Sequence, residues 1–199
     1  PKAWIIEKNS FSLLKNGNSR AVENEILASK ICRCFDCRQV LYEESMFDGQ
    51  KVSKSRIITS VDYSMVSMEA FEIYAANHDI HVMDFVLKLD AYTYYMMNLL
   101  DYLIGSWGFL VDNRTNQPVR LFDLMDLNQT FLAYDTPDGA NCMTTGNRKM
   151  SQREAAVEAV KIIGLNQRNE IKDEWFEGRE KEREMFWCRF GILKEQWKA

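Results

Sequence analysis

Three residues have the types and settings needed to hold a triphosphate. Lys15 closes the apolar run "FSLLK", and Glu25 stands about one turn into a helical pattern, "ENEILASKICRCF". Held together, a strand-end ammonium and a helix carboxylate fix a positive charge where nucleotide phosphates can meet it. The third residue, Asp126 in "LFDLMDLNQ", follows an apolar run. Its carboxylate would emerge at a strand end, where hard oxygens can hold magnesium against phosphate oxygens. Asp123 competes for that role. Each residue also has a plainer alternative: a Lys-ended strand before a Glu-bearing helix is a common arrangement, and either aspartate can cap the next turn.

The elements that must position these residues can be read from local pattern. "AWIIEKNSFSLLK" sets two apolar runs about a polar turn at Lys8, Asn9 and Ser10, which predicts a β-hairpin ending on Lys15. The polar loop "NGNSRAV" follows. The helical pattern after it brings Ile26, Leu27, Ile31, Cys34 and Phe35 near one face. "RQVLYEESMFDGQKVSKSRIITS" predicts two or three more strands, with Asp48 and Gly49 as a hairpin turn. Residues 1–59 therefore read as a small antiparallel sheet with one helix laid on it.

From Asp62 the period changes. "MEAFEIYAAN" and "HVMDFVLKLDAYTYYMMNLLDYLIG" are helical, and Leu89 to Ile104 is apolar on nearly every side, as expected of a buried central helix ended by Gly105. "WGFLVDNRTNQPVRLFDLMDL" predicts two short strands across an Asn-Arg-Thr-Asn turn. "SQREAAVEAVKII" opens on Ser151 and Glu154 at capping-box spacing. In the last helical stretch Phe186, Phe190, Leu193 and Trp197 share a face, expected to pack in the core, with a partner-binding helix as the alternative. The mixed charges between Arg168 and Glu184 read as a solvated surface. The fold class expected is α+β, with residues 60–199 forming a mostly helical second lobe.

Composition removes several functions. A net charge of -4 and a pI near 5.4 provide no basic face for nucleic acid. No apolar run approaches the roughly 18 residues of a membrane span, and "PKAWIIEKNS" has no signal-peptide core. The expectation is a cytoplasmic protein with neither membrane nor direct nucleic-acid contacts. Five cysteines, an odd number, fit a reducing compartment. Cys32, Cys34 and Cys37 crowd into "CRCFDC", but Cys142 and Cys188 stand alone, so buried thiols are expected rather than a four-ligand zinc site. His78 and His81, in "HDIH", read as a solvated turn. With prolines only at 1, 118 and 137, no flexible linker is expected.

Taken in order, "FSLLK", "ENEILASKIC", "YYMMNLLDYLIG", "GFLVDN", "LFDLMDLNQTF" and "EAAVEAVKIIGL" resemble the HipA-like kinase family, especially its short bacterial and phage-encoded members. The likeness runs from Trp4 to the neighbourhood of Phe190. It implies a two-lobed protein-kinase-like fold and phosphorylation of a serine or threonine, with ATP and Mg2+ required. Carried across, Lys15 would contact the nucleotide phosphates, Glu25 would orient Lys15 with Glu23 as its substitute, and Asp126 would bind magnesium. The nucleotide base would lie against residues 60–66. A protein substrate and a possible antitoxin-like partner are implied. The additional N-terminal domain of longer members has no expected counterpart.

In one place the sequence departs from the family. The resemblance implies a catalytic loop of the Asn-x-Asp-x-His-x-x-Asn type between the central helix and "GFLV", with its Asp on the substrate hydroxyl. A run of roughly eight residues, the size of a kinase catalytic loop, is missing there: only Ser106 stands between Gly105 and Trp107. Three explanations compete. The natural chain carries a loop that this sequence omits; the deletion is real and leaves an ATP-binding pseudokinase; or the chain is a non-enzymatic interaction module. The first is favoured, because a one-residue bridge would pull apart a helix end and a strand that the motif order otherwise preserves.

Overall fold

The structure is a computed structural model, and it describes residues 2–7, 10–104, 109–112, 114, 118–125, 127, 130–131, 134–140 and 150–198. The first hairpin forms as the pattern predicts, with β1 (Lys2–Glu7) antiparallel to β2 (Ser10–Lys15). Helix α1 (Ser19–Cys32) follows at once. Asn18 caps it, its side-chain oxygen accepting from Ala21 N at 2.8 Å.

Strands β3 (Tyr42–Phe47) and β4 (Gln50–Arg56) form the second hairpin. Asp48 at φ 49° and Gly49 at φ 72° make the mirror-image turn that suits a two-residue connection. The four strands lie in the order β1-β2-β4-β3, all antiparallel neighbours, so β2 with Lys15 at its end is an inner strand.

A second sheet, in the order β5-β6-β7, joins β5 (Tyr63–Val66), β6 (Phe109–Asp112) and β7 (Pro118–Leu121). Helix α2 (Met68–Ala76) packs Phe71 and Ala75 against α3 (Val82–Leu103). The sequence predicts α3 as unbroken, but Asp90 leaves helical geometry at φ -161°. Its carboxylate accepts from Thr93 N and, by its other oxygen, pairs with Arg38. Asp90 thus acts as an N-cap inside the helix and restarts it.

Helix α4 (Gln152–Ile163) begins with the predicted capping box between Ser151 and Glu154. It ends at Gly164, whose φ of 72° favours glycine. A Cβ there would stand 3.3 Å from the Trp197 indole nitrogen. Helix α5 (Glu180–Lys198) buries Phe186, Phe190 and Leu193, but Trp197 is 58% exposed. The shared face predicted for these four residues runs out of core at its last turn.

One hydrophobic cluster takes in Leu27 and Ile31 of α1, Leu99 and Leu100 of α3, Ala159 of α4, and Phe186 and Phe190 of α5. The chain after α1 is stitched to later segments through its backbone. Val40 N donates to Leu124 O, Leu124 N to Arg38 O, and Arg168 N to Cys34 O. Helix α1 is therefore held between the four-stranded sheet and the helical remainder. No helix of the described residues is long and apolar enough to cross a membrane.

Candidate functional site

Lys15 and Glu25 meet. The Lys15 Nζ donates to Glu25 Oε1 at 2.8 Å, and both residues are buried. The second Glu25 oxygen accepts from Ser53 Oγ. Ser53 lies directly across from Lys15 in the β2–β4 register, so one carboxylate spans two strands. The ammonium also lies 5.1 Å from the centre of the Tyr42 ring. An ion pair taken out of water pays a desolvation penalty that its Coulomb attraction offsets only in good geometry. Such pairs are expected where a charge must be held ready for something else.

Glu23, the alternative partner, points elsewhere. Its carboxylate is partly exposed and sits 3.4 Å from Arg179 Nη2. Consecutive helical residues are about 100° apart, so Glu25 faces the sheet while its neighbours cannot. Of the two glutamates only Glu25 contacts Lys15.

Beside the pair lies a cavity of about 110 Å³, lined by Lys15, Gly17, Val22, Glu25 and Ser53 among others. Ligand pockets measure roughly 300–1,000 Å³, so a nucleotide cannot be enclosed there and would reach Lys15 from the open side. Gly17 and Ala21 meet closely in this lining: a Cβ on Gly17 would stand 3.2 Å from that of Ala21.

Alternation along a strand puts every second side chain on one face. Phe11 and Leu13 therefore share the Lys15 face, with Ile6 across from Phe11, Trp4 across from Leu13 and Lys2 across from Lys15. Trp4, Ile6 and Phe11 are exposed. An exposed apolar stripe therefore lies next to the buried ammonium. The alternation in "FSLLK" was the available signal for it, and the hairpin register was needed to bring Trp4 and Ile6 alongside.

The residues expected near the base fall partly in β5. Among the described residues this strand is at the edge of its sheet, paired only with β6. Just before it, Ser60 N donates to Tyr63 O and Asp62 N to Ser60 Oγ, which fixes a turn at the start of the strand.

Asp126, together with Gly105 and Ser106, lies outside the described residues. Its competitor Asp123 is occupied: Arg120 Nη1 donates to Asp123 Oδ1 at 2.6 Å, and Arg38 Nε is 3.9 Å from the same oxygen. With two guanidiniums on it, Asp123 holds β7 to the loop after α1.

Cys32 and Cys34 are buried packing residues, Cys37 is half-buried, Cys188 is exposed, and Cys142 lies outside the described residues. Burial raises the Cys32 thiol and pushes Cys37 up to about 12, which disfavours the thiolate that metals bind. Among the described residues no three His, Cys, Asp or Glu side chains cluster as a metal site. His78 stacks on Tyr74 at 4.0 Å, and His81 caps α3. The predicted solvated stretch between Arg168 and Glu184 has an exception in Arg179, which is 6% exposed.

No family model matches the sequence, and no curated protein matches it. The fold is nevertheless kinase-like. The chain is similar to the crystal structure of CtkA, a proinflammatory kinase of Helicobacter pylori, with a TM-score of 0.59 over 99% of this chain and 90% of that one, at 12% identity. The mixed architecture, with a small antiparallel sheet, one helix across it and a mostly helical remainder, is kinase-like as the sequence predicts.

Proposed function

We propose that this chain is a HipA-like protein kinase that transfers the γ-phosphoryl group of ATP to a serine or threonine hydroxyl. The observation that carries the reading is the buried Lys15–Glu25 pair, on an inner strand and a crossing helix of a kinase-like fold. Phosphoryl transfer asks little covalent chemistry of a protein and much positioning of charge. Lys15, held by Glu25 and Ser53, presents an ammonium to phosphate oxygens. Trp4, Leu13 and Phe11 offer the base an apolar surface, and the edge of β5 that is unpaired among the described residues offers main-chain groups to the rim of the ring.

Magnesium, when bound, supplies neutralisation of charge on the β- and γ-phosphates, and Asp126 is assigned to it from the sequence. The substrate would be a protein, the compartment the cytoplasm, and an antitoxin-like partner belongs to the same reading. The base for the hydroxyl would stand in a loop between Gly105 and Trp107. The single residue found there favours a second reading, an ATP-binding pseudokinase, in which Lys15 and Glu25 still hold nucleotide.

Thermal unfolding with ATP and magnesium, paired with a transfer assay, tests both. A ligand that binds only the folded state raises the midpoint by mass action, by about 2.7 kcal/mol at a hundredfold excess over Kd. Stabilisation that disappears in Lys15→Met supports nucleotide binding, and transfer decides between enzyme and pseudokinase. A midpoint indifferent to ATP in the parent chain overturns both readings.

A further inference from the structure

The side of α1 opposite the sheet carries a second buried polar cluster, which the nucleotide reading leaves unused. Asn24 precedes Glu25 and is 2% exposed, yet both ends of its amide are engaged. Nδ2 donates to Thr130 O at 2.8 Å, and Oδ1 accepts from Arg179 Nη1 at 2.8 Å. Thr130 Oγ1 stands 2.6 Å from Leu127 O and 3.3 Å from Asn24 O. Thr130 and Arg179 are buried as well. Three segments far apart in sequence meet at one amide.

Apolar packing would hold α1 against the core at less desolvation cost, but loosely in rotation and translation. Hydrogen bonds fix both, because each fails within a few tenths of an ångström beyond its normal length. A one-residue slip of α1 turns it by about 100°, which would break every bond at Asn24 and lift Glu25 from Lys15. We propose that Asn24 and Arg179 are positioning residues that lock α1 in the one register where Glu25 holds Lys15, and that they join this register to Thr130 and, through it, to Leu127. The proposal rests on the kinase reading, since Leu127 directly follows Asp126 in sequence. If Thr130 shifts, it carries the shift to Asn24 and so to Lys15. Such coupling is reciprocal: whatever fixes Lys15 also steadies Thr130.

The test is a double-mutant cycle on the full chain, with the Kd for ATP plus magnesium measured by calorimetry for the parent, Lys15→Met, Arg179→Met and the double variant. Folding is checked by circular dichroism. Arg179→Met should weaken binding about tenfold, roughly 1.4 kcal/mol, and add little to Lys15→Met, because both act through the same ammonium. Hydrogen exchange in residues 19–32 should rise in Arg179→Met without ligand, and Arg179→Lys should restore part of both effects. Losses that add, or exchange that stays at the parent level, overturn the proposal while leaving the kinase reading intact. A parent chain that binds no ATP overturns both.

If Arg179→Met does not fold, Asn24→Asp carries the test. It keeps the contact with Arg179 but loses the donor to Thr130 O. It should reduce the gain in ATP affinity that magnesium brings. An unaltered magnesium gain in that variant overturns the link to Thr130 and Leu127.

Discussion

Among the described residues Lys15, Arg179 and Arg189 are buried cations, and the surroundings of the first and the last differ. Lys15 is held by the Glu25 carboxylate, with a small cavity and an exposed apolar stripe on the same sheet face. Arg189 is sealed. Its Nη1 donates to Tyr102 O at 2.7 Å and its Nη2 to Thr136 O at 2.8 Å, and the guanidinium lies 4.2 Å from the centre of the Tyr134 ring.

Tyr102 is in the last turn of α3, where carbonyls lack partners within the helix. The next carbonyl, of Leu103, accepts from Tyr134 Oη at 3.0 Å. Arg189 and Tyr134 together close the C-terminal end of the central helix, and a cation is favourable at that end of the helix dipole. Burial of charge alone therefore does not mark a site. What separates the two is whether a second ligand can approach the charge.

The largest expected effect would break the comparison if it failed. Arg189→Met leaves the buried Tyr102 carbonyl without its donor, at about 1–3 kcal/mol, and removes the bond to Thr136 O, so urea unfolding should show a loss of about 2–4 kcal/mol at unchanged ATP affinity. A stable variant that loses ATP binding would make Arg189 the functional cation.

A smaller effect tests how tightly the Arg189 surroundings are sealed. Burial pushes the Tyr102 phenol up to about 12 and raises that of Tyr134 further still, although the Arg189 charge opposes both shifts. A folded pKa above the unfolded value of about 10 means stability is complete below pH 10 and is lost as pH climbs through the folded value. Thermal midpoints should hold to about pH 10 and fall beyond it, and the tyrosinate absorbance that Tyr102→Phe and Tyr134→Phe remove should appear together with unfolding. That share of the absorbance rising near pH 10 with the fold intact would show these rings open to water.

The smallest effect sharpens the contrast on α1 itself. Glu23→Gln removes a partly exposed contact with Arg179, and exposed pairs contribute about 0–1 kcal/mol. Stability and ATP affinity should both stay near those of the parent. A large loss of affinity would transfer the role of Glu25 to Glu23.

What the sequence shows depends on how far apart the interacting residues lie. The first hairpin, the Asp48-Gly49 turn, the start of α4 and the strand-end position of Lys15 rest on patterns within a few residues, and all are legible. The meeting of Lys15 with Glu25 spans ten positions and a single loop, so it follows once the hairpin and helix are placed. The node at Asn24 joins positions 24, 130 and 179. No local pattern distinguishes Asn24 from a surface asparagine, and Arg179 sits among charges that read as solvated. The break in α3 is hidden for the same reason, since Asp90 is drawn out by Arg38 from another part of the chain. The kinase-like class was legible through the order of several weak motifs, each of which alone has a structural alternative.

The closed end of α3 bears on how this chain could gain or lose chemistry. The helix end is fixed by Arg189 and Tyr134, and β6 is fixed on both edges by β5 and β7. A connection anchored at both ends pays for its length mainly in closure entropy, about 0.6 kcal/mol for each doubling. Residues inserted there leave the folded remainder almost untouched, whereas a bridge of very few residues lies outside that scaling, because short loops deviate strongly from it. On the kinase reading, a catalytic loop could therefore be lengthened or exchanged at this place at little cost to the fold.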